Sequence, residues 1–201
     1  MSLAKNETLH ATRFDGSKLY VVTFLQIDPL FVVDLVDPQN IQVHGELEIP
    51  GWSTYLIPRG DRLLSVGVEN TQVAVSIFDV SDPGNPTMAD RIFLGEPGQY
   101  TRSEANWDEK AVGYFPEEDV LLVPYETWDW DWDTGRNSYN TAIQKIEILG
   151  DDLRKAGQVS HEVRARRATM LGSLLASISG EELLVADLRD PDKSSIIARE
   201  Q

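Results

Sequence analysis

The sequence predicts an all-β chain assembled from four copies of one small sheet, and three observations predict it. Eight short segments are rich in β-branched residues, among them Lys18–Phe24 (KLYVVTF), Val73–Val80 (VAVSIFDV) and Glu182–Leu188 (ELLVADL). Such side chains suit a pleated surface. Turn residues punctuate these segments, as at Asp15-Gly16, Arg59-Gly60-Asp61 and several Asp-Pro pairs. One phrase then recurs. Val32–Asn40 (VVDLVDPQN), Ser76–Pro86 (SIFDVSDPGNP) and Leu184–Lys193 (LVADLRDPDK) each run an apolar strand into Asp, then into a second Asp followed by Pro. Proline fixes φ and removes a donor, so it belongs in the turn after a strand and not inside one.

The spacing of the phrase sets the repeat. Asp34 and Asp79 stand 45 residues apart, and Asp79 and Asp187 stand 108 apart. The missing copy is Thr141–Gln158 (TAIQKIEILGDDLRKAGQ), in which Gly150-Asp151-Asp152 replaces the Asp-Pro turn. Four units result, about 6–50, 51–96, 97–163 and 164–199, with residues 1–3 reading as a cloning start. A period in the forties with four short strands per unit is the signature of propeller blades. The expected fold is therefore a β-propeller fragment of about four four-stranded antiparallel blades over residues 4–201.

Within the first unit the strands fall near Thr8–Arg13, Lys18–Phe24, Leu30–Asp34 and Gln42–Glu48. In the second, the connection between the second and third strands is short, Glu69–Gln72. In the third it runs from Glu126 to Asn140. The segment DDLRKAGQ has a faint helical flavour and is too short to carry a helix.

Composition narrows the function. The 201 residues carry 18 basic and 33 acidic side chains, a net charge of −15, which repels a nucleic-acid backbone and suits cationic partners or metal ions. The absence of cysteine excludes disulfides, zinc-thiolate sites and cysteine nucleophiles. No apolar run approaches the roughly eighteen residues of a membrane span, so membrane insertion is not expected.

The stretches LYVVTFLQIDPLFVVDLVDP, IQVHGELEIPGWSTYLIPRGDRLLSVGVE, VAVSIFDVSDPGNP and VRARRATMLGSLLASISGEELLVADLRDP together resemble secreted bacterial and archaeal proteins with a C-terminal β-propeller distantly related to WD40 repeats. The resemblance covers about residues 6–195 and corresponds to the C-terminal half of that domain. It implies an exported protein, placed outside the cell, in the periplasm or in the envelope. It implies no catalytic residues.

Chemistry concentrates in Tyr125–Asn140 (YETWDWDWDTGRNSYN). Asp129, Asp131 and Asp133 alternate as in the first turn of a calcium loop. Against calcium, Gly135 comes one residue late, Asn140 stands where a closing Glu belongs, and tryptophans fill the spacer positions. The competing reading is a protruding hairpin with the three aspartates on one face and Trp128, Trp130 and Trp132 on the other, packed on a neighbour or binding a partner. Arg164 and Arg166 form the densest basic cluster with Arg167. They bind an anion or pair with carboxylates such as Glu162 or those of a neighbouring blade. Gly51–Tyr55 (GWSTY) grazes a nucleophile-elbow pattern but reads as a blade-joining turn. His10, His44 and His161 are expected as satisfied surface histidines.

The reading that results is a non-catalytic binding or scaffold module, with a protein or small-ligand partner and no cofactor other than the calcium just weighed. The alternative is a hydrolase or lyase using carboxylates such as Glu104 and Asp108. Because blades are apolar on both faces, four of them leave two end faces in need of cover. Four blades closing into a tight ring would cover both, as would the favoured arrangement, a homodimer joined first blade to fourth around a two-fold axis. Light scattering at micromolar concentration is expected to return a dimer mass; a monomer mass overturns that assembly.

Overall fold

The computed structural model describes residues 8–24, 28–131 and 135–199. It is an all-β propeller fragment of four antiparallel sheets, each laid down in chain order. The first holds β1 (Thr8–Asp15), β2 (Lys18–Phe24), β3 (Asp28–Asp34) and β4 (Gln42–Ile49). The second holds β5 (Trp52–Arg59), β6 (Arg62–Glu69), β7 (Gln72–Asp79) and β8 (Thr87–Phe93). The third begins with two fragments, β9 (Tyr100–Arg102) and β10 (Gly113–Phe115), and continues through β11 (Val120–Asp131), β12 (Arg136–Leu149) and β13 (Asp152–His161). The fourth holds β14 (Ala165–Leu171), β15 (Leu174–Ser179), β16 (Glu182–Asp187) and β17 (Asp190–Arg199). The segment with the faint helical flavour is thus an ordinary outer strand, β13. Gly51 turns between β4 and β5 with φ +78°, so GWSTY joins two blades, as expected.

The recurring aspartates have a mechanical job. Asp34, Asp79 and Asp187 each accept a hydrogen bond from the backbone N–H two residues on, at Val36 (2.8 Å), Ser81 (2.9 Å) and Arg189 (2.8 Å). Such Asx turns bend the chain sharply out of the strand. The residue after each aspartate then donates its own N–H to the turn joining the sheet's first two strands. Leu35 reaches Ser17, Val80 reaches Asp61 and Leu188 reaches Ser173. In the third sheet Ile148 reaches Asp119 at 2.8 Å, which puts Glu147 where its counterparts have Asp.

The chain divides into two compact units, Met1–Asn70 with Ala74–Arg91, and Thr71–Val73 with Ile92–Gln201. In the first, Tyr20, Val22, Leu30 and Val32 pack with Leu56, Leu63, Phe78 and Val80. In the second, Val120, Leu122, Ile143 and Val159 pack with Ala165, Leu175, Leu184 and Ala186. Burying each of these larger side chains contributes about 1.5–3 kcal/mol. Tyr20 is wholly buried, and its hydroxyl is without a hydrogen-bond partner among the described residues. Burial, seconded by the carboxylates of Asp15 and Asp61, pushes its pKa up to about 12.

The two end sheets differ in the faces turned away from these cores. On the first, Val21, Phe31 and Val33 are buried in a cluster with Leu19, Leu35 and Val43, while Phe14 is exposed. That face is therefore only partly the bare apolar surface expected of it. On the fourth, Leu171, Leu174 and Ile178 remain exposed.

Two ionic knots hold sheet edges. Arg91, on β8, donates to Glu69 (2.6 Å), to the Pro50 carbonyl (2.9 Å) and to the Ser76 hydroxyl (2.8 Å). Arg199, on β17, reaches Glu182 (2.5 Å) and Glu162 (3.0 Å). In both, an outer-strand arginine ties down a glutamate beside the turn between the second and third strands.

His161 corrects the expectation of a surface histidine. It is buried at the end of β13, with Nδ1 3.2 Å from Glu182 and Nε2 2.9 Å from the Ser177 hydroxyl. Burial tends to raise the Glu182 pKa. Bonds from the Glu162 N–H, Arg199 and His161 outweigh this and hold it below the usual carboxylate range. The ionised carboxylate accepts a hydrogen bond from Nδ1–H, leaving Nε2 to accept one from the Ser177 hydroxyl. Burial lowers the His161 pKa, and the bond to Glu182 opposes it only in part.

The folded protein therefore holds His161 neutral at a pH where the unfolded chain, with an ordinary value of 6.5, takes a proton. Stability from this residue is full above that value and is lost as pH falls through the lower folded value. His161→Ala is expected to cost about 1–3 kcal/mol at neutral pH, from two buried partners left unpaired. The gap between variant and parent should narrow below pH 6.5 in urea titrations. An equal gap at all pH values contradicts the assignment.

Candidate functional site

The candidate site grows out of the third sheet. β11 and β12 pair without interruption from Val120↔Glu147 to Asp131↔Arg136, so the long connection is a hairpin that prolongs the two strands. Alternation puts Val120, Leu122, Glu126 and Trp128 on one face. Val120 and Leu122 lie in the second unit's core, and Glu126 is also buried. Beyond Glu126 the face runs out of cover, and Trp128 is exposed.

Register then assembles an aromatic row. Trp128 stands opposite Tyr100 on β9 and opposite Tyr139 on β12. Its ring lies 5.7 Å from Tyr100 and 5.5 Å from Tyr139, at tilts of 53° and 49°. The three residues are 47%, 36% and 41% exposed in the order Tyr100, Trp128, Tyr139. Aromatic pairs in this geometry attract beyond their buried area, so the row holds itself in place.

A charged group flanks it. The Tyr139 hydroxyl donates to Glu126 at 2.9 Å, and Arg164 lies 3.1 Å from the same glutamate and 3.3 Å from Glu104. The Arg164 guanidinium sits 4.8 Å from the Trp107 ring centre, with Arg102 5.4 Å from it on the same ring. Burial, then the bond to Glu126, raises the Tyr139 pKa.

Trp107 is carried by an irregular stretch between β9 and β10. Two single-turn 3₁₀ helices, Glu104–Asn106 and Glu109–Ala111, are capped by the side chains of Ser103 and Asp108. Pro124 lies on β11 opposite this gap, where neither β9 nor β10 pairs with it, and its carbonyl accepts from the Ser103 hydroxyl at 2.5 Å. A strand proline is tolerated where no ladder bond is asked of it.

The sequence-predicted residues distribute as follows. Trp128 and Arg164 are brought into one site through Tyr139 and Glu126. Asp129 is exposed on β11. Trp130 and Asp131 belong to β11, but their side chains, with Trp132 and Asp133 entire, lie outside the described residues. Among the described residues no three carboxylate or imidazole groups gather as a cation site. Arg164 and Arg166 differ in their contacts. Arg164 precedes β14, and a bulge between Ala165 and Arg167 breaks the period. Arg164 pairs with carboxylates, whereas Arg166 is exposed and makes no ion pair among the described residues.

Glu104 and Asp108, the carboxylates of the enzyme reading, are both engaged. Glu104 meets Arg164, while Asp108 accepts from the Lys110 N–H and pairs with Arg167 at 2.9 Å. The Ser177–His161–Glu182 chain has the bond order of an acyl-transfer triad, but Ser177 is wholly buried, which withholds its hydroxyl from a substrate. Tyr100, Trp107, Glu126 and Tyr139 were not singled out from the sequence. Tyr139 lies within the stretch Tyr125–Asn140 that the sequence marked as a hairpin.

Comparison with known proteins agrees with this architecture. The beta propeller domain family matches residues 1–190. The chain belongs to that family. An uncharacterized protein of Methanocaldococcus jannaschii is 32% identical over 191 residues, covering 92% of this chain and 27% of that protein. An uncharacterized protein of Archaeoglobus fulgidus is 45% identical over 92 residues, covering 45% of this chain and 15% of its own length. The propeller chain thus spans about a quarter or less of these relatives. The crystal structure of an uncharacterized Listeria monocytogenes protein superposes on 98% of the chain and 55% of its own length, with a TM-score of 0.54 at 12% identity, a likeness of fold alone.

Tyr139→Phe isolates one bond of the site. It is expected to cost about 1 kcal/mol in denaturant unfolding and to remove one late-titrating phenol from an ultraviolet titration, with the ring row intact. Loss of a phenol that titrates in the ordinary tyrosine range instead means the Tyr139–Glu126 bond does not form in solution.

Proposed function

We propose that this propeller is a non-catalytic binding module of an exported, envelope-associated protein, and that the third sheet's aromatic row with the Glu126–Arg164 pair is its contact surface. One observation carries the reading: Tyr100, Trp128 and Tyr139 form a pre-packed aromatic row left exposed where β9 pairs with the β11–β12 hairpin. Exposed aromatic clusters with a polar rim are what binding surfaces are made of, and rings contribute large contact area at little entropy. Placing such rings on paired strands keeps them in position before a partner arrives, which lowers the cost of association. The export and envelope assignment rests on the family resemblance of the sequence.

A co-sedimentation assay tests the reading. The chain is mixed with envelope fragments of the producing cells, and the variant carrying Tyr100→Ala, Trp128→Ala and Tyr139→Ala runs alongside. The parent should pellet with the fragments, and the variant should lose about tenfold or more in affinity while unfolding within about 1–2 kcal/mol of the parent. Equal retention of parent and variant removes the aromatic row from the function.

A further inference from the structure

The geometry points to a neutral glycan chain, laid across Tyr100, Trp128 and Tyr139, as the ligand of this surface; the inference rests on the binding-module reading and adds the chemistry of the partner. Ring spacing decides between the ligands that aromatic clusters take. A caged quaternary cation needs aromatic faces opposed around it, each within about 6 Å of the ion. A proline-rich segment needs slots between aromatic ridges. Here neighbouring ring centres stand only 5.7 and 5.5 Å apart, in mutual contact, so nothing enters between them. The row is a closed platform that accepts a partner on top of it.

What surrounds the platform selects a sugar over a protein. Among the described residues of Tyr100–Arg102, Thr127–Asp129 and Asn137–Asn140, every exposed side chain is either aromatic or polar. A protein partner meets anchors set in a fully buried, charge-depleted core. A pyranose ring instead has an apolar C–H face, which stacks on an aromatic ring, and rim hydroxyls, which need polar side chains beside the stack. Asn137, in step with Tyr139 on β12, offers such a donor and acceptor on the face of the row, and Arg102, in step with Tyr100 on β9, adds further donors.

Two further features narrow the class. The net charge of −15 disfavours polyanionic glycans. Tilts of 53° and 49° at successive rings, in keeping with the twist of the strands beneath, make the platform non-planar. It suits a single chain that turns along its length and not the flat face of a crystalline fibre.

Tryptophan fluorescence and calorimetric titration test the inference. Soluble neutral β-glucan, xylan, mannan and chitin oligosaccharides of two to about six units serve as probes, with alginate oligosaccharides and crystalline cellulose as controls. The expected result is binding of at least one neutral series, tightening with length, with about tenfold loss in Trp128→Ala or Tyr139→Ala and no uptake by either control. Binding that ignores both substitutions overturns the site. Absence of neutral-glycan binding, while the parent still pellets with envelope fragments and the triple variant does not, overturns the glycan and leaves the binding module standing. Pelleting abolished by protease treatment of the fragments identifies a protein partner and likewise overturns the glycan. Failure of both assays overturns the two readings together.

Discussion

Each sheet of this protein depends on one backbone hydrogen bond. At the end of the third strand, a single N–H reaches back to the carbonyl of the turn between the first and second strands: Leu35 to Ser17, Val80 to Asp61, Ile148 to Asp119, Leu188 to Ser173. That bond fixes the end of the third strand against the first hairpin, so a slip of register in either breaks it. A one-residue slip also turns every side chain to the opposite face. Tyr20, Leu63, Leu122 and Leu175, all wholly buried, would then exchange places with their neighbours. The aspartates at Asp34, Asp79 and Asp187 support the bond by bending the chain at that point.

This constraint explains why so much of the fold was legible in the sequence. Asp followed by a second Asp and Pro is a chemical requirement of the turn, so it recurs wherever the turn recurs. The third sheet was harder to see, because Glu147 replaces Asp and engages Lys145 and Arg154 in its place. Its phase is nonetheless recoverable from Ile148. The buried polar knots were less legible. A histidine, a serine and a glutamate at positions 161, 177 and 182 say nothing of one another until β13, β15 and β16 are placed together. Arg91 and Arg199 look like ordinary surface charges on outer strands until their glutamates are seen.

The candidate site was half legible. The aromatic hairpin announced itself through composition, and period-two alternation separated Trp128 from Asp129. Tyr100 and Tyr139 could be assigned to the row only once cross-strand partners were known, since neither is close to Trp128 along the chain. Arg164 pairs with carboxylates, one of the two readings its sequence allowed, and a bulge between Ala165 and Arg167 separates its neighbour Arg166 from it. The row exists because one blade face continues past the end of its neighbour. The positions that bury Val120, Leu122 and Glu126 lead directly to Trp128, which is exposed among the described residues.

That bulge belongs to a series. The innermost pairing shifts register between Leu9 and Ala11 in the first sheet, between Ser53 and Tyr55 in the second, and between Ala165 and Arg167 in the fourth. In the third the same pairing breaks between Arg102, opposite Glu126, and Gly113, opposite Leu122, and the slack is filled by both 3₁₀ helices and Trp107. A slack residue in three sheets and a folded excursion in the fourth are two sizes of one joint. The innermost strand therefore carries a built-in splice point, where added chain leaves the ladder on either side in phase. New surface can be acquired there without renegotiating the core, and a designer wishing to graft a peptide onto this scaffold has three unused copies of the same opening.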